Sequence, residues 1–207
     1  MIRAIGFGAV AFLALASARP VDAQLRLIPQ VGLYSPFGQL PTPGAGVDEI
    51  KKEGTLAFGA ALEIGTPDKV SFRVNLLHAT DSDIPITDIG CNDDCARSSV
   101  TTATGTLAVR PLPRIIVAQP YLLLGGGLKR YDFTREDLDD EGWEAILNDQ
   151  NQLTGHLGLG VELNLGLVNL VGEVSDLVSQ FDTEGDISEQ DELQHDVYFT
   201  VGLVIGG

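Results

Sequence analysis

The sequence predicts an all-β fold, an eight-stranded antiparallel up-and-down transmembrane β-barrel. Apolar residues recur at every second position through successive segments, the connections between segments alternate short and long, and the acidic charge collects in the long ones. The predicted strands lie near 25–34, 55–65, 70–80, 98–110, 116–131, 152–164, 167–178 and 194–205.

The alternation is read segment by segment. The first strand contains Leu27–Ile28–Pro29–Gln30–Val31–Gly32–Leu33–Tyr34. In the second, Leu56, Phe58, Ala60, Leu62 and Ile64 alternate with Ala57, Gly59, Ala61 and Glu63. In the third, Val70, Phe72, Val74 and Leu76 alternate with Ser71, Arg73, Asn75 and Leu77. The fourth and fifth strands flank Pro111–Leu112–Pro113–Arg114, and the fifth carries Pro120–Tyr121–Leu122–Leu123–Leu124–Gly125–Gly126–Gly127. Leu153, Leu157, Leu159, Val161 and Leu163 define the sixth against Thr154, His156, Gly158, Gly160, Glu162 and Asn164. In the seventh, Leu170 and Val174 oppose Asn169, Glu173 and Ser175. The eighth sets Val197, Phe199, Val201, Leu203 and Ile205 against Tyr198, Thr200 and Gly202. A period of two puts one apolar and one small or polar face on each strand. The richest stretch, Leu157 to Val174, is broken by Glu162, Asn164, Asn169 and Glu173, so no segment reads as a membrane helix.

Strands 2–3 and 6–7 are joined by the short turns Thr66–Pro67–Asp68–Lys69 and Leu165–Gly166, whereas the connections near 35–54, 81–97, 132–151 and 179–193 are long. Short turns at one end and long loops at the other describe an up-and-down barrel. A strand of about 10–12 residues tilted near 40° spans about 25–30 Å, the apolar thickness of a bacterial outer membrane.

The chain of 207 residues starts with Met1–Ile2–Arg3, an uncharged apolar run from Ile5 to Leu15, and small residues around Val21–Asp22–Ala23. This reads as a secretory signal peptide over 1–23, with cleavage expected after Ala23 and a barrel domain over 24–207. The net charge of −16 excludes phosphate backbones as partners, so no nucleic acid is expected. The four long loops hold 22 acidic residues against Lys51, Lys52, Arg97 and Arg135, a net of −18. The rest of the mature chain, with 6 acidic and 7 basic residues, is close to neutral. With both termini in the periplasm, the acidic end faces outside.

The signal peptide, the eight-strand plan, the opening Leu27–Tyr34 and the Pro120–Gly127 strand together resemble the small outer-membrane β-barrel family that includes the OmpA transmembrane domain and OmpX-type proteins. The resemblance spans residues 24–207 and implies an outer-membrane barrel without catalytic machinery. The chain differs from that family in ending Val204–Ile205–Gly206–Gly207 rather than on an aromatic residue, and in having only 6% aromatics.

Several residue groups are candidates for more than scaffolding. By strand parity Glu63, Arg73, Glu162 and Glu173 point into the lumen, where buried charges need partners and Arg73 is placed to bridge two carboxylates. Glu162 with Glu173 also has the composition of a glycosidase pair, but a narrow eight-strand barrel is filled by its own side chains. Cys91 and Cys95, in an exported protein, are expected to form a disulfide within the second long loop. Asp137, Asp139 and Glu141 with Gly142 match the first half of a calcium loop, yet Asn148 stands where the bidentate Glu belongs. No specific metal and no cofactor are therefore expected, only diffuse attraction of divalent cations. His78 and Thr80 at the loop end of strand 3 are similar to part of the His–Ser–Glu set of outer-membrane lipid A hydrolases, with Thr in place of Ser and no third member.

The expectation is a monomeric outer-membrane barrel, not an open pore and not an enzyme. It would have a structural or surface-interaction role through acidic loops, with outer-membrane lipids and lipopolysaccharide as partners. The alternative is a secreted, soluble, lipocalin-like barrel carrying a small apolar ligand, which would invert the two faces.

Overall fold

The computed structural model describes residues 24–37, 54–66, 68–83, 96–113, 115, 117–135, 150–180 and 193–207. Eight strands run β1 (Gln24–Phe37), β2 (Thr55–Gly65), β3 (Val70–Asp83), β4 (Ala96–Val109), β5 (Ala118–Arg135), β6 (Gln150–Asn164), β7 (Asn169–Gln180) and β8 (Leu193–Gly206). Each pairs antiparallel with its sequence neighbours, and β1 pairs with β8, so the sheet closes into a barrel with no free edge. The register matches face to face: Leu62 lies opposite Val74 on the outside, and Glu63 opposite Arg73 on the inside.

Closure forces the two faces of the sequence pattern to become an outside and an inside. The outward side chains are apolar and exposed on every strand, among them Leu27, Leu62, Val74, Leu107, Leu124, Leu157, Val174 and Val201. The inward side chains are buried and largely polar, including Arg26, Arg73, Lys129, Glu63, Glu162 and Asp196. A soluble protein buries its Leu and Val and exposes its Arg and Glu. This barrel reverses the rule, which corrects the lipocalin-like alternative: its lumen offers charged side chains where an apolar ligand would need an apolar cavity.

The strands run further toward the long-loop end than hydropathy alone predicts. β5 continues to Arg135, and Asp132 pairs with Ser99. The backbone ladder persists there after the apolar alternation has stopped, so residues such as Asp81, Arg97 and Asp132 lie on strands and not in loops. At the other end β7 begins at Asn169, because Leu167 belongs to the turn: Leu165 N donates to Val168 O at 2.9 Å. Gly166 has φ +88°, the left-handed conformation that a two-residue hairpin loop requires at its first central position.

Candidate functional site

The lumen holds two charged layers. Toward the short-turn end lie Arg26 (β1), Glu63 (β2), Arg73 (β3), Arg110 (just past β4), Glu162 (β6) and Glu173 (β7), all buried. Strand parity puts each inside, and the barrel's width lets their long side chains meet. Glu63 Oε2 accepts from Arg73 Nε at 3.0 Å and Nη2 at 2.7 Å. Its Oε1 accepts from Arg110 Nη2 at 2.8 Å, Ser71 Oγ at 2.8 Å and Arg26 Nη1 at 3.2 Å. Arg73 Nη1 also donates to Glu173, whose other partners are the Tyr121 hydroxyl and Gln30 Nε2 at 2.9 Å. Arg26 Nη2 and Glu162 Oε2 form an ion pair 2.7 Å apart without hydrogen-bond alignment. The guanidinium groups of Arg73 and Arg110 lie 5.2 and 5.3 Å from the centroid of the Tyr121 ring.

Three arginines against three glutamates leave the layer formally neutral. Neutrality matters here because an isolated charge taken out of water costs several kcal/mol, roughly, even after relaxation. The layer also excludes the glycosidase reading of Glu162 and Glu173. Each carboxylate is held by arginine, and the Tyr121 ring crosses the space between β5 and β6 so closely that a Cβ on Gly160 would lie 2.3 Å from Tyr121 Cζ.

The second layer lies toward the long-loop end around Asp196 (β8). Its Oδ1 accepts from Tyr34 OH at 2.7 Å, and its Oδ2 from Tyr131 OH at 2.6 Å and from Lys129 Nζ. Lys129 donates in turn to Ser179, which donates to Gln152 Oε1 at 3.0 Å. Tyr198 packs on Tyr34 with ring centroids 5.0 Å apart, and Ala57, Leu77, Ala79, Val100 and Leu177 complete a collar around the pair. Between the layers His156 Nδ1 pairs with Thr104 Oγ1 at 2.8 Å, and Asn75 donates to Thr106 at 3.1 Å.

The four lumenal residues named from the sequence are thus brought into one network, with Arg73 touching two of the three glutamates. Sequence reasoning missed Arg26, Arg110 and Tyr121 from this layer, and it missed the Lys129–Asp196 layer altogether. Parity would have found Arg26, between Leu25 and Leu27, and Lys129, between Leu128 and Arg130. The lipid A hydrolase set is not assembled at the rim. His78 faces outward and pairs with Thr101 Oγ1 at 2.9 Å, while Thr80 pairs with Thr55 Oγ1 at 2.8 Å. Cys91, Cys95, Asp137, Asp139, Glu141 and residues 1–23 lie outside the described residues. Among the described residues no group of three metal-binding side chains comes together.

A closed eight-strand barrel, apolar outside and ionic inside, is the architecture also seen in small outer-membrane β-barrels. No family model and no curated protein matches the sequence. Among solved structures the chain is similar to the outer membrane protein OprG of Pseudomonas aeruginosa, at 15% identity over 88% of this chain and 94% of that one, with a TM-score of 0.52. It is similar in the same way to the outer membrane protein AlkL, at 13% identity over 92% and 93% with a TM-score of 0.52. Neisserial surface protein A aligns at 11% identity over 88% and 97%, with a TM-score of 0.50. At these identities the likeness is one of fold.

Proposed function

We propose that the chain is an integral protein of a bacterial outer membrane, with a structural or surface-interaction role carried by its acidic loops and without catalysis. One observation supports this most: the exposed exterior is apolar on all eight strands while arginine, lysine and carboxylates are buried inside. Lipid is the solvent that such an exterior fits, and a closed barrel is one of two structures that satisfy every backbone group there. The start of β1 and the end of β8 lie at the short-turn end, so with these toward the periplasm the acidic connections face outside. Lipopolysaccharide phosphates bridged by divalent cations are the partners that acidic loops would meet in the outer leaflet. The two charged layers across the lumen support a closed barrel rather than a diffusion pore.

The test is fractionation followed by gel analysis. The protein should partition with detergent-solubilised outer membranes and change mobility on denaturing gels when boiled. Recovery from the periplasm without detergent would overturn the proposal. Deleting the loops 38–53, 84–95, 136–149 and 181–192 one at a time, with assays of surface adhesion and membrane integrity, tests the interaction role. The disulfide proposed between Cys91 and Cys95 is checked by thiol labelling with and without reductant.

A further inference from the structure

The short-turn end of the barrel is chemically lopsided. On one side, the connections β4–β5 and β6–β7 expose Leu112, Ile115, Val117, Leu165, Leu167 and Val168, and Leu167 is 100% exposed. The two connections touch through Asn164 N, which donates to Val117 O at 2.8 Å. On the other side, the β2–β3 turn exposes Asp68 and Lys69, next to the exposed Gln24 that opens β1.

A water-facing turn has no use for this much apolar surface, and its backbone can rely on water for hydrogen bonds. These turns satisfy part of their own. Ile115 N donates to Ala118 O at 2.8 Å and Ala118 N returns to Ile115 O at 2.9 Å. Leu165 N donates to Val168 O at 2.9 Å, and Gly166 N is capped by Asn164 Oδ1 at 3.0 Å. Internal satisfaction is the condition for backbone to enter lipid. The apolar surface is also continuous with the exterior belt, since Leu163 and Leu170 pair immediately above Leu165 and Val168. A second protein would also cover such a patch, but it would meet a surface unbroken from the lipid-facing belt, which favours lipid as the occupant.

We infer that the apolar turns bearing Leu112, Ile115, Leu165 and Leu167 are immersed in the acyl–headgroup boundary of the leaflet at the short-turn end. The barrel then sits tilted, deeper on its β4–β7 side than at the Asp68–Lys69 turn. The inference rests on the membrane placement proposed above and adds a second contact zone to it.

Depth-dependent tryptophan quenching tests it. The full chain carries Trp143→Phe to remove its single tryptophan, and Leu167→Trp, Leu157→Trp or Lys69→Trp is added. Each variant is reconstituted in phosphatidylcholine vesicles brominated either near the glycerol backbone or near the methyl ends, after its unboiled gel shift confirms folding. Leu157→Trp should lose emission to the deep bromines, and Leu167→Trp to the shallow ones while resisting aqueous acrylamide. Lys69→Trp should be quenched by acrylamide alone. If Leu167→Trp behaves like Lys69→Trp, the turns are in water and the inference fails. Protection from both quenchers would place a protein over the patch and also overturn it. If Leu157→Trp escapes the bromines, it is the membrane placement itself that fails. Ile115→Trp repeats the test should Leu167→Trp not fold.

Discussion

Arg73 on β3 and Glu173 on β7 join across the lumen, although the two strands stand opposite each other in the ring and the residues are 100 positions apart. The bond makes the barrel's width part of its chemistry. Arg73→Ala leaves Glu173 with only Tyr121 and Gln30, while Glu63 keeps Arg26 and Arg110. Breaking one side of a buried pair costs about 3–5 kcal/mol. The expected loss should appear as a lower urea midpoint for the protein folded in vesicles, and Arg73→Met with Glu173→Gln should recover part of it. An unchanged midpoint for Arg73→Ala would remove the polar core as a source of stability.

Lys129 and Asp196 form a second, independent pair. Asp196→Asn leaves a buried lysine without its counter-charge, and the loss should again be about 3–5 kcal/mol. Adding Lys129→Met removes the stranded charge. A double-mutant cycle on urea unfolding should therefore give a coupling of about 0.5–3 kcal/mol. Coupling between Lys129 and Arg73 should be near zero, because they belong to separate layers.

Charge on the outer surface should report depth. Leu157 lies at the middle of β6, and Leu153 lies four residues nearer the long-loop end. Leu157→Arg should destabilise the folded barrel by about 2–4 kcal/mol and Leu153→Arg by about 0–1 kcal/mol. Equal effects at the two positions, read from unfolding in vesicles, would contradict a lipid-facing belt.

Two glycines on neighbouring strands should respond oppositely to the same substitution. At Gly160 a Cβ meets the Tyr121 ring at 2.3 Å, so Gly160→Ala displaces Tyr121 from Glu173 and should cost about 1–3 kcal/mol. At Gly172, on the outside, the nearest atom is Val161 Cγ1 at 4.0 Å. Gly172→Ala should be neutral or stabilise by up to about 1 kcal/mol, because an unfolded glycine has more freedom to lose. Thermal unfolding of the two variants side by side decides it.

Period-two hydropathy made the strands and both faces legible, and with them the lumenal position of Glu63, Arg73, Glu162 and Glu173. It could not say which side chains meet across the barrel, because that depends on strand tilt and stagger, which the period leaves open. Arg110 is the last residue of the predicted strand 98–110 and is followed at once by Pro111, so no further strand residue beyond it marks its parity. Its side chain nevertheless turns back into the lumen to reach Ser71 at 3.0 Å. Asp132 shows the converse limit: hydrogen bonding continues β5 past the point where hydropathy stops marking it.

The neutral layer near the short turns also bears on the order in which the barrel can be completed. All three of its arginines precede β5, while two of its three glutamates arrive only on β6 and β7. A chain held at β5 would carry four lumenal positive charges, these three and Lys129, against Glu63 alone. The last strand then brings Asp196, the acceptor for Tyr34 from 162 residues away, and seals β8 onto β1. Such distant partners favour slow, late closure over stepwise growth. An unfinished barrel would be electrically unbalanced, and its own C-terminal strands are the counter-ion that would discharge it.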